Sequence, residues 1–185
     1  AHTGSSFDNI GWSVGCSEKW IVSTAPSDST VGGVVSAGAA YVYSASTGRF
    51  ARKIRPADLA AGNLFGREVA VCGDLALITA PGQGAGAGYL CNLATGAVVR
   101  KFVGPAVGSG FGTSVALSAT FAVFGAYQEN TDAGAVYVYK LATTEPPLRI
   151  APPAPAAGSQ FGHKVAVQND LVVATAFSSD LAATD

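Results

Sequence analysis

Apolar residues fall on alternate positions in short runs along this chain, and the runs come in pairs. Residues 68–71 and 75–79 flank Cys72-Gly73-Asp74, and residues 164–167 and 171–175 flank Gln168-Asn169-Asp170. A period of two broken by turn residues predicts antiparallel hairpins rather than helices. The pattern returns four times, counted from Gly11, Gly66, Gly112 and Gly162. Each copy has Val at +3 (Val14, Val69, Val115, Val165) and Ala at +14 (Ala25, Ala80, Ala126, Ala176). Large apolar residues stand at +9 (Trp20, Leu75, Phe121, Leu171) and +11 (Val22, Leu77, Val123, Val173).

A Gly, Ser and Asp loop follows each hairpin, then a third run at 38–43, 86–91 and 134–139, with Tyr41, Tyr89 and Tyr137 in matching places. Turns at Thr47-Gly48 and Thr95-Gly96 lead to fourth runs at 49–54 and 97–102. The third copy reaches its own fourth run, 148–150, through Thr143-Thr144-Glu145-Pro146-Pro147. The opening glycines stand 55, 46 and 50 residues apart. Four strands in that length fit a β-propeller blade, whereas a long β-sandwich gives no reason for the same sequence to return. The predicted fold is therefore all-β and propeller-type. Its divisions are a lead-in at 1–9, blades at 10–64, 65–110 and 111–160, and a partial blade at 161–185. That is about three and a half blades, where closed propellers use roughly four to eight. The expectation is a propeller that is incomplete or completed by another chain.

Composition narrows the reading. Of 185 residues, 49% are hydrophobic and 12% charged, and 23 are Gly. Soluble domains carry roughly 25% charged residues, so a surface this poor in charge is expected to be covered by neighbours or glycan, or to belong to a larger folded body. A net charge of −1 with scattered Lys and Arg excludes a nucleic-acid stripe. No apolar run is long enough to span a bilayer as a helix. The chain starts at Ala1-His2 and has no Met, which suggests a mature or excised segment.

The repeated residues resemble the FG-GAP repeats of integrin α-subunit propellers and of many extracellular and bacterial surface proteins. Phe111-Gly112 with Phe124-Gly125-Ala126 carries the name best. Phe65-Gly66 with Thr79-Ala80-Pro81 and Phe161-Gly162 with Ala174-Thr175-Ala176 follow it, and Ile10-Gly11 with Ser23-Thr24-Ala25-Pro26 is degenerate. The resemblance implies an extracellular or cell-surface location. Many members hold calcium in the core hairpin, but the hairpins here lack the several oxygen ligands that calcium requires. No metal or other cofactor is expected. Glu129 with Asp132, and Asp28 with Ser29, are the remaining acidic loops, read as solvated.

No acid, base or nucleophile recurs among the framework positions, so no catalytic residue is assigned. His163 stands at +1, where the other copies have Trp12, Arg67 and Thr113, and is read as a surface residue. The glycine clusters at 82–88 and 104–112 precede no helix and are read as interblade loops rather than phosphate sites. Rim loops after each core offer candidate binding residues: Ser27, Asp28, Gln83, Gln128, Glu129, Asn130 and Asp132. Cys72 and Cys91 end the first and third strands of one blade, which suggests a shared edge and a disulfide in an oxidising compartment. Cys16 aligns with Val71 and Leu117 and is expected to be buried. The Pro- and Ala-rich segment 143–159 reads as an extended linker. Thr143, Thr144, Pro146, Pro147, Pro152, Pro153 and Pro155 are candidates for O-glycosylation or hydroxylation, there being no Asn-x-Ser/Thr sequon.

These observations lead to a non-catalytic extracellular structural or adhesion protein, with self-association by inter-chain strand complementation into a polymer or filament. The alternatives are a carbohydrate- or protein-binding receptor domain within a larger closed propeller and, behind it, an accessory domain of a hydrolase.

Overall fold

The computed structural model describes residues 9–29, 35–152 and 156–177. Blade 1 contains β1 (Val14–Cys16), β2 (Trp20–Ala25), β3 (Ala39–Ser44) and β4 (Phe50–Ile54). Blade 2 contains β5 (Val69–Cys72), β6 (Leu75–Ala80), β7 (Ala87–Asn92) and β8 (Val98–Val103). Blade 3 contains β9 (Phe111–Leu117), β10 (Phe121–Ala126), β11 (Ala135–Lys140) and β12 (Leu148–Ile150), and β13 (Phe161–Gln168) pairs with β14 (Leu171–Ala176). Every sheet is antiparallel and its strands follow chain order, three sheets having four strands and the last two. The first strands β1, β5, β9 and β13 touch one another in sequence. They form the inner wall of an unclosed propeller-type arrangement, with the fourth strands outside.

Packing between blades follows the two faces of each hairpin. On β5, Val69 and Val71 join the core shared with blade 1; on β6, Leu75 and Leu77 join the core shared with blade 3. The +3 and +5 positions therefore face the preceding blade and the +9 and +11 positions the following one. Exposure at +3 shows what a neighbour does, since Val14 is 66% exposed and Val69 8%. At +11, Val22, Leu77 and Val123 are fully buried, whereas Val173 is 52% exposed. Covering one such valine stabilises the junction by about 1 kcal/mol.

The same rule corrects two expectations. Cys16 is exposed rather than buried, because it pairs with Ile21 on the face of blade 1 turned away from blade 2. Cys72 and Cys91 are both free. Strand β6 separates them, and Cys91 belongs to the core facing blade 1 while Cys72 packs against the core facing blade 3. Ending strands of one sheet placed them on opposite faces, so a bridge between them has no geometry.

Junctions are also latched by backbone. The φ-positive glycine before each third strand lies against the FG phenylalanine of the next blade: a Cβ on Gly38 would stand 2.0 Å from the Phe65 carbonyl oxygen, and one on Gly134 2.1 Å from that of Phe161. Phe65 N donates to Ala37 O at 2.9 Å and Phe161 N to Ala133 O at 3.0 Å, crossing from blade to blade. Ser13 Oγ accepts from Val69 N at 3.2 Å, and Ser114 Oγ from Val165 N at 3.1 Å. The glycine run at 82–86 lies between β6 and β7, within one blade rather than between blades.

Candidate functional site

Each blade enters its first strand through the same tight turn. Two residues before the opening glycine the backbone is left-handed at Asn9 (φ 54°), Leu64 (57°), Gly110 (69°) and Gln160 (53°). The opening glycines themselves have φ between 82° and 100°, a region closed to most side chains. The +1 amide then donates back across the turn: Trp12 to Asn9 O, Arg67 to Leu64 O, Thr113 to Gly110 O and His163 to Gln160 O, at 3.1–3.2 Å. Four equal turns on neighbouring inner strands carry their +1 side chains to one place.

That place is a cup of about 240 Å³ lined by Trp12, Arg67, Glu68, Thr113, Tyr127, His163 and Lys164. The Arg67 guanidinium lies over the Trp12 ring, 4.4 Å from its centroid. Tyr127 meets the His163 ring edge-on at 5.3 Å, and Phe177 stacks on its other side at 4.9 Å. Lys164 Nζ stands 3.7 Å from Glu68 Oε1, and Ser13 Oγ donates to Glu68 Oε2 at 3.4 Å. Thr113 Oγ1 donates to Gly110 O at 2.8 Å. Two fixed cations face one carboxylate, so the cup is net positive. His163 is half-buried in this wall rather than a plain surface residue.

The rim residues expected to bind are mostly occupied by the blades themselves. Asp28 is buried and takes Lys53 Nζ at 2.8 Å, together with Arg55 and the Tyr41 hydroxyl. Burial alone would raise its carboxyl, but hydrogen bonds from Lys53 and Tyr41 and the charges of Lys53 and Arg55 outweigh it and hold Asp28 below the ordinary value. In blade 3, Glu129 accepts from Tyr137 at 2.6 Å and pairs with Arg149 at 2.7 Å. Burial first, then Glu129, pushes the Tyr137 hydroxyl up to about 12. Blade 2 has Gln83 at the matching place, and it accepts from Tyr89. The carboxylate there is supplied by Asp58, which accepts from Tyr89 at 3.0 Å and from Lys101 at 2.5 Å. A hydrogen bond from Lys101 holds Asp58 below its usual range.

Asp28 and Glu129 thus point at cations, and among the described residues no group of three or more His, Cys, Asp or Glu side chains is placed to hold a metal ion. Ser27 accepts from Asn9 Nδ2 at 3.0 Å. Asn130, Thr131 and Asp132 form a left-handed turn (φ 55–60°) whose carbonyls hold the next linker, Asp132 O accepting from Gln160 N at 2.7 Å and Thr131 O from Gly158 N at 3.2 Å. Gln128 N donates to Ser109 O at 3.1 Å, and the side chains of Gln128 and Asn130 remain exposed.

Among the glycosylation candidates, the Thr143 hydroxyl is buried and the Thr143 carbonyl accepts from Arg100 at 2.5 Å. No glycan fits on that oxygen, and this corrects the expectation. Thr144 and Pro146 are exposed, Pro147 and Pro152 half-buried, and Pro153 and Pro155 lie outside the described residues.

The convergence of the +1 residues was the feature that reading the sequence missed. Its signal was a position that differs in every copy beside positions that do not.

No curated protein matches the chain. Among solved structures, the crystal structure of the computationally designed protein Ika8 matches with a TM-score of 0.60 at 16% identity, over 90% of this chain and 42% of that one. This chain therefore spans less than half of that protein, and at such identity the likeness concerns the fold alone. A family model for the FG-GAP repeat matches residues 49–91 and 104–139. With tyrosine strands and Phe-Gly turns in register from blade to blade, residues 49–91 and 104–139 carry FG-GAP repeats.

Proposed function

We propose that the chain is a non-catalytic, propeller-type binding module of an extracellular or cell-surface protein, with its ligand seated in the axial cup. The observation that carries this reading is the contrast between constant framework positions and the four unlike side chains, Trp12, Arg67, Thr113 and His163, that line one cup. Rigid turns present these groups while backbone hydrogen bonds are satisfied elsewhere, as a preformed site requires. The FG-GAP repeat itself supports the location, since such repeats are typical of extracellular proteins. Among the described residues no helix is long and apolar enough to cross a membrane. The test is a ligand-observed NMR screen of saccharides, amino acids and organic acids, with hits recovered and analysed. Hits are expected to lose their signal with W12A and H163A and to be recovered unchanged. Hits indifferent to both substitutions overturn the site, and converted hits overturn the non-catalytic reading.

A second reading, a protomer of a polymeric or filamentous assembly, is favoured by the two end faces. Val14, Ile21 and Phe50 are exposed on blade 1, and Leu171 and Val173 on β14. These are the +3 side and the +9/+11 side of the same junction, so a head-to-tail contact repeats packing already used three times. The outer edge of β14 has no partner strand among the described residues and is open to strand addition. Light scattering over a micromolar concentration series is expected to show association that V173D abolishes. A monomer at every concentration overturns this second reading.

A further inference from the structure

Resting on the binding-module reading, we infer that the cup takes a uronate ring, a saccharide whose single charge is a carboxylate. Arg67 lies over the Trp12 ring, and among the described residues no carboxylate or carbonyl takes its guanidinium donors. A planar fork with free donors, preorganised by stacking, matches a carboxylate with two parallel hydrogen bonds. Lys164 reaches Glu68 only at 3.7 Å. With Arg67 and Lys164 against Glu68, the surplus is one positive charge, which one carboxylate neutralises and a doubly charged anion exceeds.

The backbone argues in the same direction. The amides that could cradle a phosphate at the +1 positions are all consumed by their own turns, so among the described residues they form no nest facing the cup. Around Arg67 the wall is aromatic and amphipathic. The Tyr127 and His163 rings stand together there, and Thr113 Oγ1, having donated to Gly110 O, keeps lone pairs for a ligand hydroxyl. A sugar ring presents one C–H face to an aromatic wall and hydroxyls to its edge, whereas an acidic side chain on a peptide presents only a flexible stem. A cup of about 240 Å³ suits a single ring.

Trp12 provides its own reporter. The chain has two Trp residues, and Trp20 donates to Asp74 at the opposite end of the blades. A W20F variant therefore leaves Trp12 as the only indole. Its fluorescence is titrated with galacturonate, trigalacturonate, the methyl ester of galacturonate, a triglutamate peptide and inorganic phosphate. We expect saturable change with the uronates and binding at least about tenfold weaker for the ester, the loss of one charge-assisted contact. R67Q is expected to bring galacturonate down to the level of the ester, with R67K between, while thermal melts stay close to that of W20F. Equal affinity for monomer and trimer identifies a free uronate as the source, and tighter trimer binding an acidic polysaccharide. Equal affinity for acid and ester, for triglutamate or for phosphate, an unaltered R67Q, or no response to any probe overturns the uronate inference. Calorimetry separates the two levels of the argument: an ester that binds as tightly as the acid and is lost with H163A leaves the cup standing. Uronate binding indifferent to both R67Q and H163A removes the cup itself.

Discussion

Asp28 holds more charge than any other carboxylate described, with Lys53, Arg55 and the Tyr41 hydroxyl on its two oxygens. Removing that charge strands two cations. D28N is therefore expected to lower unfolding free energy by about 2 kcal/mol in urea titrations, the exposed reach of Lys53 keeping the cost below that of a fully buried pair. Because the folded state lowers the Asp28 value below the ordinary 3.8, its contribution is fully present above that pH. It is lost as pH falls through the lowered folded value. Stability of the parent chain should fall on that acid limb, and D28N should flatten it. The cysteines give a second residue-scale outcome. In the native chain Cys16 should react promptly with a maleimide, Cys72 slowly, and Cys91 only on unfolding, since burial pushes its thiol up to about 12. Intact mass under non-reducing conditions is expected to show three free thiols. The acid clusters were only half legible in sequence. Tyr41 with Lys53, Tyr89 with Lys101 and Tyr137 with Arg149 each stand twelve residues apart, a regularity whose reason is the cross-strand pairing of β3–β4, β7–β8 and β11–β12. The loop carboxylates looked solvated because nothing in their neighbours announces that a tyrosine and a base lie beneath them.

At the scale of elements, the turn into each first strand and the glycine latch behind it set the spacing of the blades. G134A is expected to cost at least about 2 kcal/mol, because the residue combines φ of 85° with a Cβ that would meet the Phe161 carbonyl oxygen. G108A makes the control. Its φ is 79° and nothing lies within 4 Å, so only the left-handed backbone penalty of about 1 kcal/mol remains. Comparing the two urea midpoints separates close approach from conformation. Hairpins were legible because period-two runs and turn residues are local properties of the chain. The cup was not, since no single turn contains it: His163 alone says nothing until three other blades bring Trp12, Arg67 and Thr113 beside it.

For the molecule as a whole, burial at a framework position depends on whether a neighbour stands on that side. V123D and V173D alter the same +11 position. In blade 3 the aspartate would be forced into the core shared with β13 and β14, and V123D is expected to cost at least about 4 kcal/mol or to abolish folding. On β14 the same change meets solvent, and V173D should shift the urea midpoint by no more than about 0.5 kcal/mol. Each junction joins a +9/+11 side to a +3/+5 side, so the array has a direction, a head and a tail that differ in kind. Duplicating one unit inserts a junction of the existing type and leaves both ends as they were. Growth by copying therefore meets no chemical barrier at any blade, and repeat number is free to drift until something outside the repeat, a ring closing on itself or a partner seated on an end, fixes it.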